Sequence, residues 1–184
     1  RLNNINYLYS SASENVNWLL NIRGKDLPNS PLVNCKLLVT IKGKLHLFIN
    51  LKKIINLKKM FKNFIIHDEN DFFKTLMSLK KGNFSIDENT CSIFDYQIIN
   101  SKFKITHFND PIYNLKSVKN KTEIKNTRKA HIEDGIALTK FLYWFKKNKK
   151  QITEKKIELK LENFRKTSKN YLYKSFDTIA GSGP

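Results

Sequence analysis

The stretch Cys35-Lys36-Leu37-Leu38-Val39-Thr40-Ile41-Lys42-Gly43-Lys44-Leu45-His46-Leu47-Phe48-Ile49 decides the fold. Residues 35–41 and 44–49 are rich in aliphatic and β-branched side chains, and Lys42-Gly43 stands between them where a tight turn calls for glycine, so the stretch predicts two antiparallel strands in a hairpin. Outward from it, strand-like and helix-like segments alternate. Residues 5–9 alternate like a strand, and Ser11 or Ser13 can cap a helix through Leu20 that Arg23-Gly24 breaks. Pro28 and Pro31 bracket a turn. Downstream, helical spacing runs over 51–61 and over 71–79, the second ended by Gly82; 84–86 is a short strand. Asp87-Glu88-Asn89-Thr90 opens a helix through Ile99, and 103–107 is a last strand before Asn109-Asp110-Pro111. This rhythm over residues 1–114 predicts an α/β domain whose sheet is mixed because one hairpin interrupts it.

From about residue 119 the pattern becomes two helices without a strand between them. The first, 119–148, has Thr122 as its cap and apolar residues Ile124, Ala130, Ala137, Leu138, Phe141, Leu142, Trp144 and Phe145; the second, 153–166, has Thr153 as its cap and Ile157, Leu161 and Phe164 on one stripe. A strand-like stretch follows at 175–179. Both stripes ask for a sheet that the remaining residues are too few to form, and with Arg1 at one end and Gly181-Ser182-Gly183-Pro184 at the other, the expectation is a polypeptide cut at both ends.

Composition narrows the function classes. The 184 residues carry 34 Lys+Arg against 16 Asp+Glu, a net charge of +18, which ordinarily points to nucleic acid. Here 30 of those cations are lysine and 4 arginine, alongside 22 Asn and 20 Ile. AT-rich codons favour these residue types, and the lysines lie in pairs along most of the chain, so solvated faces account for the charge better than a nucleic-acid stripe does. The longest apolar run, 141–145, is far short of the roughly 20 residues that cross a bilayer. Cys35 and Cys91 form no C-x-x-C and read as reduced thiols. His46, His67, His107 and His131 are isolated, with no H-x-H or H-E-x-x-H, and Gly181-x-Gly183 lacks the rest of a phosphate loop.

Three strings carry more. Trp18-Leu19-Leu20-Asn21-Ile22-Arg23-Gly24-Lys25-Asp26 resembles the W-L-x-N-x-R-G-x-D element in the middle domain of aminopeptidase P, the Xaa-Pro aminopeptidases of the creatinase/prolidase superfamily. Residues 119–135, Lys-Asn-Lys-Thr-Glu-Ile-Lys-Asn-Thr-Arg-Lys-Ala-His-Ile-Glu-Asp-Gly, resemble the K-N-x-x-E-I-x-x-x-R-x-A-H-x-x-D-G helix that opens that family's catalytic domain. Ser175-Phe176-Asp177-Thr178-Ile179-Ala180-Gly181-Ser182-Gly183-Pro184 is similar to the stretch that leads into its active site. The three occur in the family's order and span nearly the whole chain.

The resemblance implies a creatinase-N-terminal-like domain at 1–114, followed at 115–184 by the first helices and first strand of a pita-bread (α+β) catalytic domain. It implies a cytoplasmic metallopeptidase, a homodimer when full length, that hydrolyses the bond between an N-terminal residue and a following proline. Two divalent ions, manganese, would hold the attacking hydroxide. The family's metal ligands, two Asp, one His and two Glu, lie beyond the third string, so neither catalytic residue nor metal ligand is expected among these residues, and the 184 residues alone are expected to bind no metal and to be inactive. Phe176 is placed by the resemblance near the substrate cleft, with a packing role as the alternative. Arg23 is read as a hydrogen-bonding anchor for its loop, with a cleft-facing role as the alternative, and Gly24 as a residue of positive φ. Two other readings stay open: a metal-free peptidase-like binding module of the histone-chaperone type, and a basic nucleic-acid-binding protein.

Overall fold

The structure, a computed structural model, describes residues 4–55, 62–148 and 152–181. It divides into two compact units, Arg1–Val118 and Lys119–Pro184.

The first unit is built on a six-stranded mixed sheet in the order β4-β3-β2-β1-β5-β6. Its strands are β1 Tyr7–Ser10, β2 Cys35–Thr40, β3 Leu45–Ile49, β4 Phe64–His67, β5 Asn83–Ile86 and β6 Lys104–His107. The hairpin forms where the sequence places it: Cys35 pairs with Ile49 and Val39 with Leu45, and Gly43 turns the chain at φ +75°. β1 joins β2 antiparallel, whereas β1–β5, β5–β6 and β3–β4 are parallel, which makes the sheet mixed as expected.

Alternation along the strands gives each face its own core. One face carries Tyr7, Tyr9, Leu38, Phe48, Phe84 and Ile86, covered by Phe72 and Leu76 of α2 (Phe72–Ser78) and Ile99 of α3 (Ile93–Asn100). The other carries Cys35, Leu37, Leu47 and Ile49 and is covered by Val16 of α1 (Ser13–Leu20), with Val33 and Ile54. Each buried Leu, Ile or Phe contributes about 1.5–3 kcal/mol of transfer free energy, so the two apolar faces hold this layered arrangement.

Several boundaries differ from the sequence reading, each for a local reason. Ala12, not a serine, precedes α1; Ser13 is its first residue, and its hydroxyl donates to the Cys35 carbonyl and accepts from the Cys35 N–H. α1 ends at Asn21, in the left-handed region at φ 51°, before Arg23-Gly24 is reached. Of the helix expected over 51–61, the described residues include a 3-10 turn, Leu51–Lys53, capped by the Asn50 side chain; residues 56–61 lie outside the described residues. β4 was not foreseen, because Phe-Ile-Ile-His is too short and unalternating to mark a strand until β3 supplies an edge. α2 stops at Leu79, which turns extended ahead of Gly82.

Asp87–Thr90 form a turn, and Ser92 caps α3 by accepting the Asp95 N–H. After β6, Asp110-Pro111 starts α4 (Pro111–Ser117), a helix the sequence reading did not include: the Asp110 carboxylate accepts the Ile112 N–H and proline occupies the first turn, where its missing N–H is harmless. α4 packs on α1, so the first unit runs past residue 114 to Val118.

The second unit is a pair of helices, α5 Lys121–Asn148 and α6 Glu154–Arg165. Asn120, not Thr122, caps α5: its side chain accepts the N–H groups of Thr122 and Glu123 while the Glu123 carboxylate accepts the Asn120 N–H, a reciprocal capping box. Thr153 caps α6 as the sequence predicts. Lys160 lies over Trp144 and Arg165 pairs with Asp134, so the helices run antiparallel, with Ala137 and Phe141 buried. The strand expected at 175–179 does not form; the stretch is irregular, since among the described residues of this unit no strand offers it a pairing edge.

Candidate functional site

The W-L-x-N-x-R-G-x-D string folds into the loop that follows α1. Asn21 supplies the left-handed turn, and the Arg23 guanidinium folds back to donate to the carbonyl of Ile22 at 2.7 Å and, at 3.5 Å, to that of Asn17. Arg23 therefore anchors the loop against the carbonyl end of α1. Gly24 is not at positive φ, contrary to the reading from sequence; its backbone lies so close to the returning chain that a Cβ would stand 2.6 Å from the Val33 Cβ. Residues 24–26 pair with 31–32 through Gly24 N–H to Pro31 C=O and Asp26 N–H to Leu32 C=O.

Asn17 locks the same return: its side chain accepts the Val33 N–H and donates to the Val33 carbonyl. Asp26 ends the string, accepting the Asn34 N–H and pairing with Lys53, and these partners hold its carboxyl below the usual carboxylate range. The loop walls an open cleft of about 550 Å³ floored by Ile22, Val33, Ile49 and Ile54 and rimmed by Lys25 and Lys53.

Open α/β sheets take ligands at the carboxyl ends of their strands. Here that space is filled by the protein's own polar groups. Asp110 accepts from the Ser10 hydroxyl and the Asn15 amide, and its own N–H donates to Asp87, with Ser10, Asn15, Asp87 and Asp110 all buried. Nearby, buried Asp95 accepts from the Tyr9 hydroxyl at 2.8 Å and pairs with Lys36 at 2.7 Å; burial and then this carboxylate push the Tyr9 phenol well above its ordinary value. These networks are saturated and hold the strand ends together.

In the second unit, the carboxylates of the A-H-x-x-D-G string are also engaged. Asp134 takes a two-nitrogen contact from Arg165 at 2.6 and 3.2 Å, and Glu133 accepts from Ser168 and Asn170, around a cavity of about 140 Å³. The His131 side chain is exposed on α5 and makes no hydrogen bond among the described residues. Phe176 is 68% exposed in the irregular stretch after α6, so no core claims its ring.

Reactive groups are few. Burial pushes the Cys35 thiol up to about 12 and that of Cys91 to about 11, so both stay protonated and neither is a nucleophile at neutral pH. Among the described residues no three His, Cys, Asp or Glu side chains gather as a metal centre would need, and no chemical step is assigned to a metal held by these residues. One convergence was missed from sequence: His46 and His67, 21 positions apart, meet at 2.9 Å because β4 lies beside β3. Finding it required the unforeseen strand. No helix among the described residues is long and apolar enough to cross a membrane.

Comparison with known proteins places this arrangement. The probable Xaa-Pro aminopeptidase P of Paracoccidioides brasiliensis is 30% identical over 193 residues, covering 95% of this chain and 31% of that protein. Xaa-Pro aminopeptidase 1 of Dictyostelium discoideum is 31% identical over 179 residues, covering 92% of this chain and 28% of its own. The chain thus spans less than a third of these curated relatives. Among solved structures, the X-prolyl aminopeptidase of Caenorhabditis elegans, described as a cytosolic enzyme with a di-nuclear active site, superposes with a TM-score of 0.80 at 25% identity over 95% of this chain and 30% of that one. The prolidase of Pyrococcus furiosus shares the fold, with a TM-score of 0.62 at 18% identity over 89% of this chain and 45% of its own. The sequence pattern of the Creatinase/Prolidase N-terminal domain matches residues 1–123, which take in the mixed sheet and the loop after α1. With two thirds of its length inside that pattern and the mixed sheet to match, this chain belongs to the creatinase/prolidase N-terminal domain family.

Proposed function

We propose that the chain is the middle domain, with the opening helices of a pita-bread catalytic domain, of a cytoplasmic Xaa-Pro aminopeptidase that releases an N-terminal residue preceding proline. The observation that carries this reading is the extent of the similarity. It runs over 92–95% of the chain in proteins named Xaa-Pro aminopeptidase, continuing past residue 123 into α5 and α6, where the N-terminal-domain pattern has already ended. Prolidases share the fold at lower identity and say nothing by that alone about substrate.

On this reading two divalent ions, manganese, are bound by parts of the enzyme outside these 184 residues, in a protein that acts as a homodimer on peptides with proline second. The chain contributes scaffold. Phe176, exposed beyond α6, is the residue we assign to the peptide cleft; Arg23, whose guanidinium closes its own loop, we assign to that loop's shape.

The test is product analysis with the full-length protein and Mn²⁺ on two peptides differing only in Pro or Ala at the second position. Release of the first residue from the Pro peptide alone is the expected result. Cleavage of both peptides, or after the proline, would place the protein in another peptidase class, and cleavage of neither would favour a non-catalytic module.

A further inference from the structure

The His46–His67 pair has a geometry that limits how many protons it can hold. The two ring planes differ by 4°, yet Nδ1 of His46 and Nε2 of His67 are 2.9 Å apart. Atoms in parallel planes are never closer than the planes themselves, so the planes are nearer than the roughly 3.5 Å at which carbon surfaces touch. Face-to-face stacking is therefore ruled out. The centroids, 5.2 Å apart, lie along the N···N line, and the rings are joined edge to edge by an N–H···N hydrogen bond.

With the N–H of one ring aimed at the lone pair of the other, no position remains for a cation to bind both nitrogens. Phe48 lies against the His67 ring at 5.0 Å, and the Thr75 hydroxyl of α2 stands 3.3 Å from His67 Nδ1. The chain Thr75–His67–His46 thus ties edge strand β4 to both β3 and α2. The charged groups that bear on it are Lys44 just before β3, which disfavours protonation of His46, and Asp71 ahead of α2, which favours protonation of His67.

We propose that this pair is a pH-sensitive latch on edge strand β4, closed with no added proton or one and opened by the second. In the neutral pair one ring donates its N–H to the bare nitrogen of the other. A first added proton takes an outward nitrogen, His67 Nδ1 facing the Thr75 oxygen or His46 Nε2, and leaves the shared bond intact, now charge-assisted. A second proton has to take the nitrogen that accepts the shared bond, which sets two N–H donors and two cations head to head. Burial, for His46 joined by its partner's charge, holds both imidazoles below the ordinary histidine value of 6.5. The opened strand binds more protons than the closed one, so the latch is secure above about pH 6.5 and weakens as pH falls below it.

Hydrogen–deuterium exchange on the intact protein at pH 7.5 and 5.0, corrected for intrinsic exchange, tests this. Protection over Phe64–His67 should fall relative to Asn83–Ile86 by at least about tenfold, since one extra proton bound on opening changes the opening constant by about tenfold per pH unit. In His67→Gln or His46→Gln, which keep hydrogen-bonding capacity without titrating, the difference between the two pH values should shrink. The proposal is overturned if wild-type β4 keeps its protection at pH 5.0, if β4 and β5 lose protection equally, or if both Gln variants retain the full difference. Should neither variant fold, the wild-type comparison of β4 with β5 decides by itself.

Discussion

Gly24 shows why a glycine in a motif has to be read against its neighbours. The sequence suggests a backbone of positive φ, but that conformation belongs to Asn21, and Gly24 is kept small by the Val33 Cβ. Gly24→Ala is therefore expected to destabilise the chain by about 1–3 kcal/mol through overpacking, read as a lower urea midpoint. Asp110 gives the converse case. Three donors, from Ser10, Asn15 and the Ile112 backbone, converge on its buried carboxylate. Asp110→Ala strands them and should cost at least about 3 kcal/mol by the same measurement. Ser85 runs the other way, its hydroxyl being fully buried on β5 without a hydrogen-bond partner among the described residues. Ser85→Ala is expected to be neutral or to stabilise by about 0.5–1 kcal/mol, seen as an unchanged or raised Tm. None of these roles is written in residue type alone, because each depends on what the fold brings within a few ångströms.

At the scale of elements, local chemistry was legible where one segment contained its own signal. The β2–β3 hairpin, with Gly43 between two apolar runs, and α6, with Thr153 at its cap, stand as read. Elements that borrow their reason from elsewhere did not show. β4 needs the edge of β3, and a strand at 175–179 lacks any such edge among the described residues. α4 was hidden because Asp110-Pro111 reads equally as the end of one element or the start of another. The cap of α5 supplies a clean contrast. Asn120→Ala should lower the stability of the α5 start by about 1 kcal/mol, whereas Thr122→Ala, the second residue of the helix, should leave it near wild type. Amide exchange over residues 121–125 distinguishes the two.

For the whole molecule, family and fold class were legible because three strings fall in order along the chain, while the candidate site was legible only in part. Arg23 and the A-H-x-x-D-G carboxylates stand out in sequence, and the structure shows them spent on loop and hairpin geometry. The histidine pair was invisible until two strands brought it together. On the proposed function, these residues furnish scaffold and one wall of a peptide cleft, with the metal-bound chemistry held elsewhere in the enzyme. Calorimetric titration of the 184-residue chain with Mn²⁺ tests it most directly: the expected result is no stoichiometric binding, and saturable uptake of one or two ions at micromolar affinity would contradict it.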